Sequence, residues 1–375
     1  MIKKIVICIV VLLAIMVLSN TSFSAEEISD LEKSVDNLRN SLSQEVLDDM
    51  NDIGADTFEL SKLSDVSFES IVNLIMKKFS ENSFAPFSSS CIVIAVLILN
   101  SVIESYCDSL KHSSSKEVLS LISTLLITTT LVMPIIDLIG NTISTITDAS
   151  NFMLIYIPIM ISILMFSGHA VSGASYYSMM LLACQGLAQI STKFISPLLS
   201  VYLGFSVSSA ISDKVNLKGF CQMFSKVIKW LIAFSMTVFT ALLTIRGMIT
   251  TAYDSVTARA VRFTMSSFIP IVGAALAESY KTIQGSINLL RTGAGVFVIL
   301  AIFVVFLPTI IRCVIWSFSL NMCKSIGEVM GVESPVTILA SVSSVVSTIL
   351  AITISIVAVF VISTALLITL GGGAQ

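Results

Sequence analysis

Between Val336 and Leu370 the chain carries no charged residue for 35 positions. As α-helix that run is about 52 Å long at ~1.5 Å per residue, well over the ~30 Å hydrocarbon core of a bilayer. Backbone polar groups in lipid must be satisfied inside the segment, so the run is helical and must tilt, bend or begin in a re-entrant turn. Within it Ala340, Ser344, Ser347, Ala351, Ser355 and Ala358 recur at steps of four and three. Small residues on one face let helices approach closely, so the stripe reads as a packing face, with a pore lining as the alternative.

The same bias holds upstream. Hydrophobic residues make up 55% of the chain and charged residues 12%, about half of what a soluble domain carries. Mean hydropathy is +0.95. The charges are also unevenly placed. Residues 25–82 hold 14 acids and 5 bases, whereas 24 charged residues serve the 293 from 83 onward. The organisation expected is an acidic N-terminal region at 25–82 and a multi-span membrane domain at 83–375. A net charge of −3 gives no basic face for nucleic acid.

Lys3 and Lys4 precede an uncharged run, Ile5 to Leu18, and then Ser19 to Ala25. A basic start, a short apolar stretch and small residues at Ser22 and Ser24 predict a signal peptide over residues 1–24. An uncleaved anchor is the alternative. Either places residues 25–82 outside the cytoplasm. There Leu31, Val35, Leu38 and Leu42, then Phe68, Ile71, Ile75 and Phe79, fall at helical spacing, predicting helices over about 30–50 and 66–80. Lys77 and Lys78 are expected near the headgroups. Acidic amphipathic helices of this kind suit partner docking, and a solvated spacer is the plain alternative.

The fold class expected is all-α: a polytopic helical membrane protein of about seven or eight spans, some re-entrant. Apolar runs lie at Phe87–Ile103, Val118–Gly140, Phe152–Phe166, Ser175–Ile190, Phe194–Ile211, Trp230–Ile249 and Gly293–Ile311, ahead of the final one. Lys214, Lys218, Lys226 and Lys229 crowd one short loop, the strongest cytoplasmic signal in the chain. The second half leaves orientation open: one arrangement puts Lys281 and Arg291 inside, the other Arg312 and Lys324.

Tyr156-Ile157-Pro158-Ile159 recurs as Phe268-Ile269-Pro270-Ile271, 112 residues on, and each proline is followed fifteen residues later by a glycine, Gly173 and Gly285. Paired Pro/Gly-interrupted segments point to a duplicated transport core, with units at about 118–212 and 230–324. Two ordinary Pro-containing helices are the alternative. Charges at membrane depth are functional candidates because they are costly there, which singles out Asp137, Glu278, Arg291 and Arg312. For Asp137 an interfacial position, and for Arg312 a snorkelling one, compete with that reading.

Catalytic motifs are missing. The chain has no phosphate-binding GxxxxGK[ST] loop, no HExxH and no GxSxG. Two histidines and seven unclustered cysteines offer no ligand set for a metal. No enzyme activity and no cofactor are expected.

At Arg259-Ala260-Val261-Arg262-Phe263, Phe268-Ile269-Pro270-Ile271-Val272-Gly273, Gly285-Ser286 and Arg291-Thr292-Gly293 the sequence resembles the stage III sporulation protein AE family of endospore-forming bacteria. The order of parts is similar over nearly the whole chain. The resemblance implies a multi-pass protein of the mother-cell membrane around the forespore. Its implied partners are the lipid bilayer, the other stage III A-operon membrane proteins and the stage II Q protein. The implied role is that of a subunit in a channel or secretion-like complex. It implies no catalytic residues. A self-sufficient, permease-like transporter of a small solute is the competing reading.

Overall fold

The computed structural model describes residues 25–109, 113–167, 170–211, 219–242, 244 and 273–369, and all regular structure among them is helical. The signal segment at 1–24, the stretch 245–272 with Pro270, and Lys214 and Lys218 lie outside the described residues.

Three short helices open the described residues: α1 (Ala25–Asn40), α2 (Gln44–Asp52) and α3 (Leu60–Ser64). The single helix expected over 30–50 is thus two. Ser43 caps α2, its hydroxyl accepting from the Val46 N–H at 3.4 Å, and a residue that caps one helix cannot continue another. At the far end Gly54 adopts φ +78°. The Gly54 N–H reaches the Asn51 carbonyl and the Ala55 N–H the Met50 carbonyl, both at 2.9 Å. This glycine-dependent stop closes the helix without orphan carbonyls. Val35, Leu38 and Leu42 are buried, as their spacing foretold.

The remainder is built from long helices: α4 (Phe68–Ser109), α5 (Ser113–Phe166), α6 (Ala170–Gln189) and, after a π-helical turn at Ile190–Ile195, α7 (Ser196–Ile211). Next come α8 (Gly219–Leu242), α9 (Gly273–Met330) and α10 (Glu333–Thr369). Six helices among the described residues are long and apolar enough to cross a membrane. This is an all-α, multi-pass membrane protein.

Among the described residues, some apolar runs that are separate in hydropathy are continuous in the fold. Val118–Gly140 and Phe152–Phe166 both lie in α5, since the polar link Asn141–Asn151 contains no Gly or Pro and stays helical. Pro134 and Pro158 sit inside that helix without ending it. Ser175–Ile190 and Phe194–Ile211 are likewise joined through the π turn around Lys193.

Contacts fix the directions. Along α4 and α9, Asn82 meets Arg312, Ser90 meets Cys323, and Ser101 meets Met330, so the two run parallel. α5 runs against both, with Ser123 on Asn100 and Thr145 on Thr309. Gly331, at φ +74°, turns α9 into α10 with the same pair of capping bonds as Gly54. α10 then returns along α9, Ser343 meeting Asn321 at 3.0 Å and Phe360 meeting Phe306 at 6.3 Å between ring centres.

α9 lies at the centre, touching α2, α3, α4, α5 and α10. Its apolar stretch Gly293–Ile311, read from sequence as a span, is mostly buried inside protein. The apolar part of α9, Gly285–Met330, is 46 residues, about 69 Å as helix. Even a 40° tilt leaves about 53 Å along the membrane normal. The bundle is therefore longer than a hydrocarbon core is thick. One sequence reading needs correcting: on α10 the core face is Ile338, Val342, Val345, Ile349, Ile352 and their neighbours, whereas Ser347 and Ala351 of the small-residue stripe are exposed. Of the stripe, Ser344 packs, accepting from the Tyr202 hydroxyl of α7 at 2.9 Å.

Candidate functional site: a buried charge junction at the central helix

Lys78 is the residue that the structure relocates most. In place of a headgroup position, its ammonium turns inward and lies 2.7 Å from Asp49 and 2.8 Å from Glu45 of α2. Lys78 and Asp49 are 3% and 4% exposed. Lys77 beside it bonds Asp52 at 2.7 Å and reaches Asp49 at 3.4 Å. Two desolvated charges cost several kcal/mol, and the cluster offsets that by giving each a short contact plus further partners. The Lys78 ammonium, donating to Glu45, also holds that exposed carboxyl below its ordinary range.

The junction continues into the bundle. The Asn82 side-chain amide donates to the Lys78 carbonyl at 2.7 Å, and its oxygen accepts from the Arg312 guanidinium of α9. Arg312 is thus neither free nor snorkelling; it ties α9 to the root of the acidic segment. Farther along α9, Gly293 lies against the Phe58 carbonyl, where a Cβ would collide with backbone. Phe58 packs on Phe297, the rings tilted by 51° with centres 4.3 Å apart. Beside this contact a cleft of about 940 Å³ opens between Asp36, Arg39, Asp56 and Glu59 on one side and Leu289 and Leu290 on the other.

Arg291 is 3% exposed. Its Nε and Nη1 have no hydrogen-bond partner among the described residues, nor does the hydroxyl of Tyr156 or the amide oxygen of Asn288. Tyr156 of α5 faces Arg291 and Thr364 of α10. An ionised group without a partner in such a place is rare, because each unmet donor retains its full desolvation cost.

The other sequence candidates scatter. Asp137 is on an exposed face of α5. Pro158 is half-buried in the same helix, its carbonyl accepting from Ser162 at 2.9 Å. Gly173 is buried against α5, where a Cβ would stand 3.2 Å from Met165 and 3.5 Å from Ile161. Gly285 faces open space, with nothing within 4 Å. Glu278 lies near the start of α9, with its side chain outside the described residues. Pro158 and Gly173 therefore share one helix pair, but the 112-residue offset carries no shared environment to Gly285. The chain break that separates α5 from α6 has its offset counterpart inside continuous α9.

Sequence reasoning missed Lys78, Asp49, Asn82 and Tyr156. For Lys78 a signal existed: it stands four residues after Leu74, and both point to the core. The outward face of that stretch is apolar instead, with Phe68 81% exposed and Val72, Met76 and Phe79 also exposed.

The comparisons agree with one another. The family profile of stage III sporulation protein AE matches residues 56–371. The curated "Stage III sporulation protein AE" of Bacillus subtilis (strain 168) is 21% identical over 222 residues. That alignment covers 59% of this chain and 56% of the relative, so it spans little more than half of either. No solved structure matches.

Proposed function

This chain belongs to the stage III sporulation protein AE family, and from that membership we propose that it is a membrane subunit of a sporulation-specific channel or secretion-like complex joining mother cell and forespore. Its place is the mother-cell membrane around the forespore, with residues 25–82 outside the cytoplasm after removal of a signal peptide. The role is architectural, with no catalytic step. Its partners are the other stage III A-operon membrane proteins and the stage II Q protein.

One observation carries this reading beyond the family name. The acidic segment is fastened to central helix α9 at two places, Asn82–Arg312 and Phe58–Gly293. Asp36, Asp48, Glu59, Asp65 and Glu69 and the apolar Phe68, Val72 and Met76 face outward. A solvated spacer has no reason to be fixed to the core of the bundle; a docking platform does. Photo-crosslinking from Phe68 and Met76 in sporulating cells tests it. Adducts with A-operon proteins or the stage II Q protein are expected. Small-solute flux through liposomes holding this chain alone, without adducts, would favour a self-sufficient transporter instead.

A further inference from the structure

The cleft of about 940 Å³ beside the Phe58–Gly293 contact has walls of different character. Phe58, Leu60, Leu289 and Leu290 make it apolar on one side, and Leu289 of the central helix is left 62% exposed. Asp36 and Arg39 of α1, with Asp56 and Glu59 from the loop ahead of α3, make the other side charged. Three acids against one base leave an excess of two negative charges. Asp36, Arg39 and Asp56 have no ion-pair partner among the described residues, and Glu59 meets only the exposed Lys62, at 3.5 Å. The Thr57 hydroxyl in the same lining is buried without a hydrogen-bond partner. Phe58 packs on Phe297 and its carbonyl on Gly293, so the loop wall is fastened to the wall that α9 supplies. A slot fixed in this way has little order left to acquire on binding.

Resting on the reading of residues 25–82 as a docking platform, we propose that this cleft receives a basic amphipathic helix of a partner protein. A helix laid in a groove anchors through large apolar side chains three and four residues apart; here they meet Phe58, Leu289 and Leu290. Its Lys or Arg side chains meet Asp36, Asp56 and Glu59. Arg39 shares a face of α1 with Asp36, three residues away, and takes one acid among those bases, which fixes the direction in which the helix lies. Rim charges of this kind select the partner and speed its arrival more than they tighten the complex. An acidic helix or an anionic headgroup is repelled by the same rim.

The full-length chain in phosphatidylcholine nanodiscs, titrated into a labelled helical peptide built of Lys and Leu, tests this by fluorescence anisotropy. A peptide of Glu and Leu is the comparison, and empty nanodiscs give the baseline. The basic peptide should bind above that baseline and fade at high salt. Asp36→Lys combined with Asp56→Lys should weaken it about tenfold or more and admit the acidic peptide instead. Leu289→Gln, on the other wall, should weaken the basic peptide about threefold or more, which keeps the test decisive if the reversed variant does not accumulate. Crosslinking from Phe68 and Met76 tests the platform separately, because neither residue lines the cleft. Binding of the basic peptide no stronger than to empty nanodiscs, equal binding of both peptides by the parent, or unchanged binding in either variant would overturn the site.

Discussion

Lys78 holds Asp49 at 2.7 Å with both side chains almost wholly removed from solvent, so the root of α4 and the second N-terminal helix meet at a charge pair instead of an apolar contact. Burial makes this pair asymmetric in its response to change. Removing one partner leaves the other unpaired, whereas removing both leaves only a packing problem.

Lys78→Met should therefore destabilise the chain by about 3–5 kcal/mol, read as a lower unfolding midpoint in detergent. Lys78→Met combined with Asp49→Leu should recover much of that loss. A double variant as weak as the sum of the singles would show that the two side chains do not act as a pair.

Acid should loosen the same junction. Lys78 lowers the Glu45 pKa from its ordinary 4.5, so the folded form binds that proton less readily than the unfolded one. The contribution is complete above about 4.5 and disappears as pH falls through the lower, folded value. Because Glu45 is largely exposed, the effect is small. In a stability-against-pH profile Glu45→Gln should lower the neutral plateau slightly and flatten the acid limb, the two profiles converging at low pH; an unchanged limb contradicts the coupling.

Two glycines of α9 should behave oppositely. Gly293→Val places atoms into the Phe58 carbonyl and should detach the acidic segment, seen as faster proteolysis at residues 53–66. Gly285→Ala meets open space and should be neutral or stabilising by up to ~1 kcal/mol, since glycine is a poor helix former. Loss of the protein on Gly285→Ala would count against this placement.

Gly173 is the tight glycine on the other side of the bundle. Gly173→Leu should weaken the α5–α6 pairing, since Met165 is already within 3.2 Å of a Cβ there. Overpacking of this kind typically costs about 1–3 kcal/mol. A full-strength unfolding transition would mean that α6 can move away freely.

Labelling can settle orientation. Single cysteines at Ser43, Ser61 and Thr369, in a background lacking the native thiols, should all react with an impermeant reagent in intact protoplasts. The reason is that α10 ends at the Gly295 end of α9, where Ile368 packs, and Phe58 is at that same end. Reaction of Thr369→Cys only after lysis would reverse the last hairpin.

Helical class, membrane character and the division between an acidic region and apolar runs were legible because each depends on local composition and period. Val35, Leu38 and Leu42 pointed to the core through spacing alone. What spacing could not show was which face a neighbour would cover. Lys78 lies in an amphipathic stretch whose apolar side looked like the buried one, and the acids of α2 drew the opposite side inward. The stripe of small residues on α10 misled in the same way, because the bulky face found better partners in α9. The division into runs misled for another reason: hydropathy falls over Asn141–Asn151, yet nothing there breaks a helix.

Helix α9 runs unbroken from Gly273 to Met330, and that continuity makes it a strut. A push delivered where Phe58 rests on Gly293 is passed along continuous helix toward Met330 and Ser101 at the opposite end. Compliance concentrates at Pro308, where the ladder lacks one N–H donor, just beside the Asn82–Arg312 tie. The acidic segment thus grips the rod at Gly293 and beside its most compliant point, so whatever seizes that segment pulls on the central helix at two places at once.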